Sequence, residues 1–82
     1  MMWIETEDGI MRNLEAFQEL RYTDDSIYGF PKGSSESDDL FNSCDPSVVK
    51  AAWRKFTQAI RDKKEYFSFD EACDEYLKSI DL

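Results

Sequence analysis

The first third of the chain alternates apolar and polar side chains with the period of a strand. Met2-Trp3-Ile4-Glu5-Thr6-Glu7 reads as one extended segment, Asp8-Gly9 supplies a two-residue turn, and Ile10 to Leu14 forms the returning strand. A turn that tight sets Glu5 opposite Arg12 and Trp3 opposite Leu14, one charge pair and one apolar pair. An irregular step is expected near Glu15-Ala16-Phe17. A second hairpin follows, with Leu20-Arg21-Tyr22 and Ile27-Tyr28-Gly29-Phe30 as strands and Thr23-Asp24-Asp25-Ser26 as the connection. Residues 31–39 are polar and rich in turn formers, which predicts a mobile exposed loop, and Leu40-Phe41-Asn42 returns briefly to the sheet.

Beyond this point the period changes to that of a helix. Asp45 is the expected N-cap and Pro46 the first helical residue, where a missing N–H costs nothing. Val49, Ala52, Trp53, Phe56, Ala59 and Ile60 form one apolar stripe, and Lys63 and Lys64 close the helix at the end its dipole favours. Ser68-Phe69-Asp70-Glu71 matches a capping box and opens a last helix, with Phe69, Ala72, Cys73, Tyr76, Leu77 and Ile80 as its buried face. The expected fold is therefore α+β in one domain: an antiparallel β-meander of three to four short strands over 2–30, an acidic loop with a short strand over 31–44, a basic amphipathic helix over 45–64 and an acidic one over 68–80.

Composition sharpens this picture. The 82 residues suffice for one core, and 12 Phe, Trp and Tyr side chains supply apolar area that a disordered chain lacks. No apolar run long enough to span a membrane is present, and the opening residues lack the pattern of a signal peptide, so a cytoplasmic protein is expected. Two cysteines 29 positions apart and no histidine exclude a CxxC redox pair and a Cys/His zinc site, leaving Cys44 and Cys73 as free, partly buried thiols. The acids Asp38, Asp39 and Asp45 do not follow calcium-loop spacing. No pairing of nucleophile and base is recognisable, so neither an enzyme nor a cofactor is expected.

Charge is the feature that points to function. The net charge is −8, yet residues 45–64 carry six bases against two acids, and the remaining 62 residues four bases against 16 acids. An acidic surface of this extent disfavours direct binding to nucleic acid or an anionic membrane. On the last helix Asp70, Glu71, Asp74 and Glu75 fall at i, i+1, i+4 and i+5, so they line one face, with i, i+4 neighbours about 6 Å apart, near the spacing of successive phosphates. Asp24 and Asp25 in the hairpin connection and Glu36, Asp38 and Asp39 in the loop extend the candidate partner-binding surface.

Met2-Trp3-Ile4-Glu5-Thr6-Glu7-Asp8-Gly9, with Asn13-Leu14 and Ile27-Tyr28-Gly29-Phe30 after it, resembles small bacterial and phage proteins that open with Met-Trp-Ile-x-Thr-x-Asp-Gly and end in a helix lying on a sheet. The resemblance covers about the first 30 residues and carries over no catalytic or ligand residue; the acidic loop and the second helix depart from the simplest members. In size, acidity and composition the chain is also similar to phage-encoded inhibitors of host defence, the anti-CRISPR and anti-restriction proteins that imitate nucleic acid. That likeness implies a non-enzymatic inhibitor whose acidic surface blocks a basic protein or ribonucleoprotein complex such as a CRISPR effector. A monomer is the expected state. The alternative is an interaction or assembly module, a homodimer whose basic helix meets an acidic face of its twin.

Overall fold

Strands precede the two long helices, save for one short strand between them, in an α+β arrangement that the computed structural model describes for residues 2–6 and 9–80. β1 (Trp3–Glu5) and β2 (Met11–Asn13) form the first hairpin, with Trp3 opposite Asn13, Ile4 opposite Arg12 and Glu5 opposite Met11. This register is one residue away from the expected Glu5–Arg12 and Trp3–Leu14 pairing. Three positions rather than two separate Thr6 from Ile10: the Thr6 amide donates to the Ile10 carbonyl and the Gly9 amide to the Thr6 carbonyl, each at 3.0 Å. Gly9 takes a φ of 82°, a conformation that a residue with a Cβ resists. The part of the expected turn that falls on Asp8 lies outside the described residues.

A one-residue slip exchanges the faces of a strand, so Arg12 lies on the same side as the fully buried Ile4. The chain then makes a 3₁₀ turn over Leu14–Ala16, where Asn13 Oδ1 accepts from the Glu15 amide at 2.9 Å; this is the expected irregular step. β3 (Phe17–Tyr22), β4 (Ser26–Pro31) and β5 (Asp38–Asn42) build a second, antiparallel sheet in that order. Asp38 and Asp39 belong to β5 rather than to the preceding loop, because the pairing with β4 begins at Gly29–Asp38. An irregularity between Ile27 and Tyr28 lets two successive β5 residues, Leu40 and Phe41, both point inward and bury. Gly29 is required for space: a Cβ there would sit 2.7 Å from a ring carbon of Phe17.

α1 (Pro46–Arg61) starts as expected, with the Asp45 carboxylate accepting from the Ser47 amide at 2.9 Å. It stops short of Lys63 and Lys64. The Lys63 amide donates to the Ile60 carbonyl and the Lys64 amide to the Ala59 carbonyl, a closing motif that needs a left-handed residue, and Lys63 supplies it at φ 55°. α1 buries Val48, Val49, Ala52, Phe56 and Ala59. Trp53 is half-buried at the margin of the stripe, its ring tilted by 32° against that of Tyr22 at 4.9 Å, and Ile60 is exposed.

An additional strand separates the two helices. β6 (Tyr66–Ser68) runs parallel to β1, with Trp3 opposite Tyr66 and Ile4 opposite Phe67, and makes β1 the centre of a three-stranded sheet. Ser68 ends β6 and caps α2 (Phe69–Ile80), its hydroxyl accepting from the Glu71 amide at 3.3 Å. α2 buries Phe69 and Ala72, while Cys73 and Tyr76 are half-buried; Leu77, expected on the buried face, is exposed, and the side chain of Ile80 lies outside the described residues. Phe56 and Phe69, both fully buried, meet at 5.1 Å and join Phe41 and Phe67 in an aromatic centre between sheets and helices. Among the described residues no helix is long and apolar enough to cross a membrane.

Candidate functional site

The nine acids of the candidate surface are set in three places by the elements that carry them. Asp24 and Asp25 lie in the β3–β4 connection, Glu36 precedes β5, Asp38 and Asp39 open it, and Asp70, Glu71, Asp74 and Glu75 lie in the first two turns of α2. α2 holds its four acids outward because Phe69 and Ala72, on its other side, are drawn into the core. Asp70 and Glu71 lie in its first turn, where the helix dipole favours negative charge; Asp74 and Glu75 lie one turn on, beyond most of that effect.

Two of the nine have bases that the sequence order conceals. Arg12 of β2 donates to Asp38 at 3.0 Å, a link between the two sheets with each side chain about two-thirds covered (34% and 38% exposed). Lys55 of α1 donates to Glu75 at 2.9 Å, a link between the helices at a more exposed position. Exposed pairs of this kind contribute about 0–1 kcal/mol, so their effect on the local field outweighs their effect on stability. Asp24, Asp25, Glu36, Asp39, Asp70, Glu71 and Asp74 take part in no ion pair among the described residues, and all seven are exposed. Asp25 is oriented locally, its carboxylate accepting from the Thr23 hydroxyl at 2.8 Å and its carbonyl from the Ser43 amide at 2.9 Å. Ser34 steadies the approach to β5, its hydroxyl accepting from the Glu36 amide at 3.1 Å.

Sequence reasoning did not anticipate the groove in which two of these acids stand. An open groove of about 270 Å³ runs between α1, β6 and α2, lined by Lys55, Lys64, Tyr66, Glu71 and Glu75 among others. The Tyr66 phenol is held above its ordinary value of 10.0, first because the surrounding protein displaces water, then because the Glu5 and Glu71 carboxylates oppose a further negative charge; hydrogen bonding with Ser68 acts the other way. Tyr66 reaches the groove only because β6 pairs with β1, which no local signal announces.

Cys73 is half-buried as expected, but Cys44, in the connection between β5 and α1, is an exposed free thiol rather than a partly buried one. Among the described residues no three His, Cys, Asp or Glu side chains come together as a group that could hold a metal ion. No protein-family model matches the chain, no curated protein shows significant similarity to it, and no solved structure matches it.

Proposed function

We propose that the protein works by binding rather than catalysis, as an inhibitor that sets an acidic face into the phosphate-binding channel of a basic host protein or ribonucleoprotein, in the manner of phage-encoded anti-CRISPR and anti-restriction proteins. The observation that carries this reading is α2: Asp70, Glu71 and Asp74 are exposed and belong to no ion pair among the described residues, and Asp70 and Asp74 stand at the i, i+4 spacing of about 6 Å. A rigid helix holds these charges without the ordering cost that a flexible acidic tail would incur on binding. Complementary charge speeds encounter with a basic channel, and added salt weakens the complex. The competing reading, a module whose basic helix meets the acidic face of a twin, draws less support, because Lys55 of the basic helix already meets Glu75 within the chain.

The test uses Asp70→Lys together with Asp74→Lys. Both side chains are exposed, and the change costs α2 about 0.3–1 kcal/mol through the dipole at Asp70, so the variant stays folded. Wild-type protein retains a nucleic-acid-binding complex from host lysate, double-stranded DNA competes for it, and the reversed variant loses it. Equal retention of the same partners by both proteins, or failure of DNA to compete, overturns the reading.

A further inference from the structure

We infer that the free edge of β3 is a self-pairing surface, through which two copies of this chain join their second sheets into one continuous antiparallel sheet across a two-fold axis at Leu20. β3 is six residues long and lies at the outside of its sheet, paired with β4 on one side only. The Thr23 amide donates to the Ser26 carbonyl at 2.8 Å, and the register runs evenly back through Tyr22–Ile27, Arg21–Tyr28, Leu20–Gly29 and Glu19–Phe30. By antiparallel alternation the N–H and C=O groups of Arg21 and Glu19 turn toward β4, and those of Tyr22 and Leu20 turn to the open side. An edge of this length offers a template for another strand unless side chains prevent it.

The side chains of β3 select the partner. Glu19 and Arg21 project from one face and pair with each other at 2.8 Å, exposed by 47% and 56%. If a second copy pairs antiparallel about Leu20, Glu19 of each chain stands opposite Arg21 of the other, so four charges alternate in sign across the junction. The other centres fail. A two-fold at Glu19 opposes two glutamates, one at Arg21 opposes two arginines, one at Tyr22 sets Leu20 against Asp24, and Gln18 sits at the register shift between Phe17 and Glu19. On the opposite face Leu20 is half-buried and Tyr22 is 44% exposed against the half-buried Trp53, an apolar margin that the second copy would cover. The same charges therefore repel strands in other registers and admit an identical copy in this one. The inference uses no residue of the acidic surface and stands or falls apart from the proposed function.

Sedimentation equilibrium in reductant, which removes any disulfide through the exposed Cys44, tests the inference. Wild-type protein is expected at twice the chain mass of 9.6 kDa. Glu19→Arg and Arg21→Glu each place like charges opposite one another and are each expected at the single-chain mass, folded by circular dichroism. An equimolar mixture of the two variants restores opposite charges at both positions and returns to the doubled mass. Hydrogen exchange on the wild type gives a second measurement that needs no variant: the Leu20 and Tyr22 amides slow as concentration rises, whereas those of Glu19 and Arg21, held by β4, are protected throughout. A wild type that stays monomeric at every concentration, single variants that dimerise as it does, a mixture that remains monomeric, or Leu20 and Tyr22 amides indifferent to concentration would each overturn the inference.

Discussion

Lys63 carries a conformation that its side chain resists. Left-handed backbone costs a residue with a Cβ about 1–2 kcal/mol, and the closing motif of α1 requires it at this position, where Lys63 has a φ of 55°. After the greater freedom of glycine in the unfolded chain is deducted, Lys63→Gly is expected to stabilise the protein by about 0.5–1 kcal/mol, which raises the melting temperature by about 5 °C. An unchanged or lower midpoint would show that Lys63 contributes through its charge at the helix end. Tyr66 yields a pH dependence. Its folded-state pKa is raised above the ordinary 10.0, so the folded chain releases the phenol proton later than the unfolded chain does. Stability that is fully present below about pH 10 is then lost as pH rises through the folded value. Tyr66→Phe removes this contribution, and alkaline denaturation midpoints should decline less steeply in the variant.

At the scale of elements, α1 is held by the depth of its stripe rather than by its largest side chain. Sequence position makes Trp53 the central residue; the structure places it half-exposed beside Tyr22 and gives the centre to Phe56, which has no exposure and touches Phe67 and Phe69. Phe56→Ala is expected to cost about 3–5 kcal/mol in urea denaturation, and Trp53→Ala less, since a marginal site leaves no closed cavity. A larger loss for Trp53→Ala would mean that the Tyr22–Trp53 contact supports more of the helix than its exposure indicates. In β4, Gly29→Ala forces a methyl against Phe17 at 2.7 Å and a methyl of Leu20 at 3.0 Å, and overpacking of that kind costs about 1–3 kcal/mol. A neutral result would show that Phe17 swings aside freely.

The whole molecule is elongated, 44 × 25 × 21 Å, and carries a net charge of −8. Repulsion among its 18 acids opposes folding, while Arg12–Asp38, Arg21–Glu19 and Lys55–Glu75 favour it by small amounts. Salt screens both, but the repulsion involves more charges over longer separations, and the screening length falls from about 30 Å at 0.01 M to about 8 Å at 0.15 M. Thermal melts are therefore expected to shift upward by a few degrees across that range. A downward shift would mean that these ion pairs dominate the electrostatics of the fold.

What the amino-acid sequence determined by itself was local: the Asp45 and Ser68 caps, the step after Asn13, the hairpin between Leu20 and Phe30 and the outward acids of α2. Caps and short turns complete their hydrogen bonds within about four residues, so the residues that form them stand together in the chain. The α+β order of strands and helices followed from the change of hydrophobic period. Tertiary structure decided the rest. β6 exists because β1 offers it an edge, and that parallel pairing joins Trp3 to Tyr66 across most of the chain with no turn to announce it. Likewise the partners of Asp38 and Glu75 come from β2 and α1, 26 and 20 positions away, so which acids remain available to a partner is a property of the folded surface. The register of the first hairpin belongs with these, since a shift of one residue, decided by how Ile4 enters the core, took Arg12 from Glu5 and gave it to Asp38.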